Sequence, residues 1–207
     1  MQVEVPSKQI PLVLSELPQT KALKLLLTRR KSHRRFKQQP LTLEQISHLL
    51  WAAQGLLPDH RRTAPSAGAL FPFKIFVSLA LPPADLTQGL YLFNPENFNL
   101  ELIFQGNFQK KLFKEALAQE CILQAPVCFI LTAKFRTVKM IYGHRAITYI
   151  FLEGGHIGQN IYLMATALDL GTVAVGAFHD DGVRQILMLG DDEIPVYLFP
   201  VGRPSDN

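Results

Sequence analysis

Three short stretches of the chain carry groups able to bind an anionic or flat ligand, and each also has a plainer structural reading. In Arg30-Lys31-Ser32-His33-Arg34, alternate residues of an extended segment point the same way. Arg30, Ser32 and Arg34 would then offer two guanidiniums and a hydroxyl to one phosphate, with Lys31 adjacent; the competing reading is a solvated basic turn. In Pro65-Ser66-Ala67-Gly68-Ala69, small residues after a proline let backbone N–H groups come close to a ligand that a larger side chain would keep away. A tight turn is the alternative there. In Val175-Gly176-Ala177-Phe178 the chain leaves a strand through a Gly-Ala pair, and strand ends facing a crevice are where open sheets place ligands. Many buried strands end the same way.

The element that must organise these stretches is residues 149–169, an apolar run whose polar groups Glu153, His156, Gln159 and Asn160 cluster in its first half. Its length gives five or six helical turns, and Gly171 is placed for a left-handed cap. A helix apolar on almost every side is a buried one, expected here as the centre of the protein and shared with a second subunit. Gly154, Gly155 and Gly158 would permit close packing there. The ionisable and amide groups argue against a bilayer span.

Around that helix, Thr20 is expected to cap a helix through Leu23, Leu26 and Leu27. Thr42 and Gln45 have capping-box spacing ahead of Ile46, Leu49, Leu50 and Ala53, with a stop at Gly55. Residues 56–72 form a long connection of the kind that carries function. Strands are expected at 73–79, 89–94, 98–104, 125–133, 172–178 and 196–201, with a helix at 107–120 and a short one capped by Asp180 or Asp181. Trp51 reads as core. The class is α+β, a central mixed sheet flanked by helices, with residues 1–20 as an arm and 21–207 as a single domain.

Composition narrows the function. The 207 residues are 48% hydrophobic, enough for one full core, with 21 basic and 17 acidic residues giving a net charge of +4. The basic residues concentrate at 29–37, which suits a bound phosphate better than a nucleic acid. Cys121 and Cys128 lie in apolar surroundings, and neither they nor His33, His60 and His179 have metal-ligand spacing, so no metal is expected. The N-terminus lacks a signal-like pattern, and a reducing cytoplasm is the expected setting.

Taken in order, R-K-S-x-R-x-F, L-W-A-A-Q-G, R-T-A-P-S-A-G-A-L-F-P, Y-G-H-R-A-x-x-Y-x-x-x-E-x-G-H-x-x-Q-N, G-A-F-H-D and V-G-R-P resemble the FMN-dependent nitroreductase superfamily. They resemble more closely its azoline oxidase-like (SagB-type) dehydrogenase branch. The resemblance implies a nitroreductase-like α+β homodimer with FMN at the subunit interface. By the same resemblance Arg30, Lys31, Ser32 and Arg34 grip the phosphate, with Arg203 as a second contact. Ser66, Ala67 and Gly68 line the flavin from the other subunit, and Gly176 and Ala177 present backbone N–H groups to its N5 and O4.

The implied activity passes hydride from a donor such as NAD(P)H through the flavin to an electron-poor small molecule. The azoline-forming relatives place a Lys-Tyr pair before Gly-x-Arg as acid and base. Here Tyr142 keeps the tyrosine and Ile141 stands at the lysine position, where an apolar side chain cannot move a proton. Two alternatives follow: a dehydrogenase of a peptide-derived substrate with Tyr142 as the base, and a catalytically silent flavin-binding scaffold for a partner protein.

Overall fold

The computed structural model describes residues 11–15 and 17–205. The expected arm is therefore seen only in part, and Pro6 lies outside the described residues. Residues 11–15 and 17 are exposed, and a short 3-10 turn at Pro18–Thr20 leads into α1, Lys21–Arg29. Thr20 stands at the cap position, but its hydroxyl donates back to Leu17 O at 2.9 Å and does not cap the helix. Helix α2, Leu43–Gln54, starts on the full capping box: Gln45 N–H donates to Thr42 Oγ1 and Thr42 N–H to Gln45 Oε1.

Six strands follow: β1 (Phe73–Leu79), β2 (Gly89–Asn94), β3 (Asn99–Gln105), β4 (Val127–Lys134), β5 (Gly171–Thr172) and β6 (Glu193–Gly202). They form one sheet in the order β3-β2-β1-β4-β6-β5. Every pairing between these strands is antiparallel, and the parallel component of the expected mixed sheet is a single bridge between Ser32 and Thr172.

The remaining helices are α3 (Gln109–Glu115), α4 (Glu120–Gln124), α5 (Phe135–Tyr142), α6 (Ala146–Ala167) and α7 (Asp180–Leu187). Alternation along the central strands buries both faces. Phe73, Ile75, Val77 and Leu79 of β1 and Phe129 and Leu131 of β4 join the core under α2 and α6. Phe76, Cys128 and Ile130 join the one that includes Leu112, Ile122 and Val183 from α3, α4 and α7. No helix among the described residues is long and apolar enough to cross a membrane.

Four local expectations are corrected. The 107–120 helix is two helices, because Leu117 and Ala118 take left-handed φ of 54° and 56° and turn the chain so that Cys121 and Ile122 reach the core. The 172–178 strand stops at Thr172, since Ala174 N–H is taken by the Tyr162 hydroxyl at 2.8 Å, leaving only an isolated Val175–Leu198 bridge. His179 occupies the cap position of α7, ahead of Asp180. Trp51 is 44% exposed on the outer side of α2.

The central helix runs over Ala146–Ala167, earlier than expected. Asp169, with φ of 53°, makes its left-handed exit, and Gly171 is needed for a different reason: a Cβ there would fall 2.7 Å from the His33 Cβ. The helix is buried on one face only. Ile150, Gly154, Ile157, Gly158 and Ile161 face the protein's own sheet, while Phe151 and Leu152 stay 54% and 53% exposed. A Cβ at Gly154 would meet Val196 at 2.9 Å and one at Gly158 the Phe199 ring at 2.7 Å, so these two glycines serve packing within the protomer. Gly155 faces open space.

Candidate functional site

The site is built along α6. At its C-terminal end Arg29 of α1 pairs with Asp169 at 2.7 Å, fixing where the chain leaves α1. Arg30 then turns extended, at φ −58° and ψ 122°, and its guanidinium carbon lies 5.2 Å from the centre of the Tyr162 ring. Ser32 Oγ lies 2.9 Å from Tyr162 Oη, which also accepts the Ala174 N–H, and His33 N–H donates to Thr172 O at 2.9 Å. Burial, followed by the charge on Lys31, holds the His33 imidazole below its usual pKa.

The chain's other end joins the same segment. Lys37 N–H donates to Arg203 O at 2.8 Å and Ser205 N–H to Arg35 O at 3.1 Å. Arg203 thus follows the last strand alongside residues 35–37, and Arg34 and Arg203 are both exposed. Five cations or hydroxyls singled out from sequence, Arg30, Lys31, Ser32, Arg34 and Arg203, lie on segments tied to one another at the β5 edge of the sheet. An extended strip with cations at this spacing can hold a phosphate.

The second part of the site is the 65–72 loop at the N-terminal half of α6. Gly68, Ala69 and Phe71 all have left-handed φ, at 60°, 52° and 45°. Two of these are non-glycine residues, a conformation that persists only where surrounding contacts enforce it. Those contacts come from Ser66 and α6. Ser66 Oγ accepts Phe71 N–H at 3.0 Å and donates to Glu153 Oε2 at 2.6 Å, and His156 Nδ1 lies 3.2 Å from Pro65 O. Further along, Asn160 Nδ2 donates to Ala52 O and Thr63 O, bracing the chain after α2. Glu153 is buried, its Oε1 has no partner among the described residues, and its pKa is raised to about 7 by burial, with the Ser66 bond acting the other way.

Tyr142 closes on this loop. A Cβ at Gly68 would fall 2.6 Å from the Tyr142 hydroxyl, so the glycine is what lets the tyrosine oxygen reach the loop backbone. The Tyr142 and Tyr149 rings stack at 4.7 Å, with Arg145 5.5 Å from the Tyr149 ring centre. Ile141 is 60% exposed, and Lys139 lies over the Phe135 ring at 5.6 Å, turned to its own helix and not towards Gly68. Gly176 and Ala177 are exposed beyond the Val175–Leu198 bridge. The Ala177 carbonyl is held by Gln119 Nε2 at 2.9 Å, and among the described residues the N–H groups of Gly176 and Ala177 have no hydrogen-bond partner. They are free to donate to a ligand.

The Nitroreductase family profile matches residues 27–203, which spans all of these parts. The chain belongs to the nitroreductase family. A nitroreductase-class protein of Methanocaldococcus jannaschii is 39% identical over 191 residues, covering 91% of this chain and 95% of its own. The crystal structure of a Ralstonia eutropha nitroreductase-family protein superposes with a TM-score of 0.78 at 29% identity, over 96% of this chain and 89% of that one. A chain of the Escherichia coli microcin synthetase complex McbBCD, solved with truncated pro-MccB17 bound, shares the fold. It has a TM-score of 0.78 at 21% identity, over all of this chain and 79% of that one. The nitroreductase fold is thus shared by chains that differ widely in sequence.

Sequence reasoning gave no role to Glu153 or Tyr162. A carboxylate inside an otherwise apolar helix is the signal that marks Glu153, since buried carboxyl groups require a partner. Tyr162, nine residues further on, carried no such mark. At 1.5 Å per residue the two anchor points lie about 14 Å apart on one helix.

Proposed function

We propose that this nitroreductase-family chain is an FMN-dependent oxidoreductase working as a homodimer. The observation that carries the reading is the shared scaffold: Ser32 beneath the cationic strip is held by Tyr162, and Ser66 of the ring-facing loop by Glu153, on the same helix. The residues fit a flavin mononucleotide. Arg30, Ser32 and Arg34, with Lys31 and Arg203 nearby, would hold the phosphate; Gly176 and Ala177 N–H groups would donate to the ring edge; the loop of Ser66, Ala67 and Gly68, supplied by the second copy, would line the ring.

FMN held by these residues would supply the hydride chemistry between NAD(P)H and an electron-poor small molecule. The chain's own contribution is placement and charge: cations and backbone donors around the ring favour its more negative, reduced form. Tyr142, beside Gly68, is the group placed to hold or move a proton at its hydroxyl.

The homodimer is supported by apolar surface that a lone protomer leaves uncovered. Helix α1 buries none of its residues, and Leu23, Leu25 and Leu27 are exposed, as are Ile147, Phe151 and Leu152 on the outer face of α6. A second copy covering α6 would bring its own loop beside this one, which is the arrangement the family resemblance implies. The cytoplasmic setting is part of the same reading.

A second reading keeps FMN and makes the substrate peptide-derived, oxidised with Tyr142 as base. The Tyr142 hydroxyl at the loop and the likeness of fold to a chain of the peptide-bound microcin synthetase complex favour it; Ile141 in place of a lysine weighs against it. A direct test of the phosphate strip compares FMN with riboflavin by titration. FMN should bind roughly 10- to 100-fold more tightly, as a charge-assisted contact provides. Equal affinity would remove the strip from the site.

A further inference from the structure

The 65–72 loop combines one 3-10 turn, Ala67–Ala69, with three left-handed residues, and its shape depends on Ser66. That hydroxyl takes the Phe71 N–H on one side and gives its proton to Glu153 on the other. Glu153 is rooted in α6 between Leu152 and Gly154, with Gly154 packed against Val196 and Phe73 of the sheet. One carboxyl oxygen thereby fastens Ser66 to α6, beside the His156–Pro65 contact. The other oxygen is buried with no partner among the described residues.

We propose that Glu153 is the positioning residue for this loop: acting through Ser66 it holds the backbone around Gly68 in place, and the proton on its carboxyl decides how firmly. This rests on the flavin reading only for its consequence, that the same proton tunes how well the loop accepts an anionic ligand.

The physical reasoning compares the two charge states. A neutral carboxyl is tolerated in this pocket, whereas a carboxylate there has, among the described residues, one buried oxygen with no donor and no cation in an ion pair with it. The charged and titratable groups on the surrounding elements have the following partners. Arg62 donates to Gln54 O and Glu96 and lies over the Phe71 ring at 5.7 Å, its Nε without a partner among the described residues. Lys74 of β1 pairs with Glu193 of β6, Lys139 of α5 lies over Phe135, and Arg29 of α1 pairs with Asp169. On α2, His48 faces Glu44 at 3.9 Å, and on α6 itself His156 faces Pro65 O. Tyr142 of α5 meets the loop at Gly68.

The carboxyl accordingly stays protonated up to about pH 7, as noted above. Deprotonation favours states in which the loop lifts and the carboxylate meets water. If lifting returns Glu153 to its ordinary value, linkage makes loop opening about tenfold more frequent between pH 6 and pH 8.

The experiment is amide hydrogen exchange at Phe71 in the full chain, with and without FMN, corrected for the intrinsic pH dependence of exchange. In the wild type, protection at Phe71 should fall by about tenfold from pH 6 to pH 8, while in Glu153→Gln it should be independent of pH. Carbon-13 detection of the Glu153 carboxyl in the wild type needs no variant and should show a midpoint near 7. A Phe71 amide whose protection is flat with pH, or a Glu153 carboxyl titrating in the ordinary glutamate range, overturns the proposal. With FMN, wild-type affinity should fall relative to Glu153→Gln across the same range. A protein that binds no FMN but keeps the Phe71 pH dependence would overturn the flavin reading and leave the positioning role standing.

Discussion

Gly155 and Gly158 stand in the same turn region of α6 with the same intrinsic cost to the helix, so replacing each by alanine isolates their surroundings. Alanine in place of an interior glycine favours a helix by about 1 kcal/mol. At Gly155 nothing lies within 4 Å of the added Cβ, and that gain should appear in full. At Gly158 the added Cβ would stand 2.7 Å from Phe199 Cζ. That ring cannot swing aside: it is fully buried, with Tyr162 and Tyr197 rings at 6.0 and 5.6 Å. Overpacking of this kind costs about 1–3 kcal/mol, which leaves Gly158→Ala destabilised by about 0–2 kcal/mol after the helix gain is subtracted. The two variants should differ by about 1–3 kcal/mol, or roughly 2–12 °C in Tm at about 2–4 °C per kcal/mol for a chain of this size. Thermal unfolding followed by circular dichroism, at matched protein concentration, measures it. A Gly158→Ala protein as stable as Gly155→Ala would refute the packing of α6 on its own sheet.

Four further outcomes are expected. Arg30→Ala should weaken FMN binding by about 1.5–3 kcal/mol in a fluorescence titration, and unchanged affinity would take Arg30 out of the site. Phe151→Glu, on the exposed apolar face of α6, should yield a folded monomer by light scattering; a dimer of undiminished affinity would move the interface elsewhere. Tyr142→Phe should lower turnover by about 10²- to 10⁴-fold if its hydroxyl transfers a proton, with FMN affinity unchanged, and full activity would end that role. Stability should depend on pH through Glu153: its folded pKa is raised from 4.5 to about 7, so its contribution is complete below pH 4.5 and lost as the pH rises through about 7. Denaturation midpoints of the wild type relative to Glu153→Gln should decline over that window, and parallel curves would contradict the assignment.

The elements most legible from sequence are those whose signal is local. The α2 capping box and the alternating β1 strand lie where residue order alone puts them, because each is specified by neighbours within a few positions. The less legible features depend on partners far along the chain. Tyr162 interrupts the strand after Thr172 by taking the Ala174 N–H, and nothing near residue 174 announces it. Gly154 and Gly158 looked suited to a subunit interface, but their neighbours are Val196, Phe73 and Phe199 of the same protomer. Periodicity says that a helix face is small and apolar; it does not say which surface will meet it. The basic strip, the small-residue loop and the long helix are all visible in the sequence, whereas the contacts that join them, Ser32 to Tyr162 and Ser66 to Glu153, link residues far apart along the chain. Glu153 is the intermediate case, visible as a misplaced charge yet given a partner only by the fold.

The most direct test of the central claim is the visible spectrum of the purified protein, after FMN is added and unbound flavin removed, before and after NADH or NADPH is supplied without oxygen. A retained flavin spectrum that bleaches with the donor is the result predicted here. A colourless protein that takes up no FMN would contradict it.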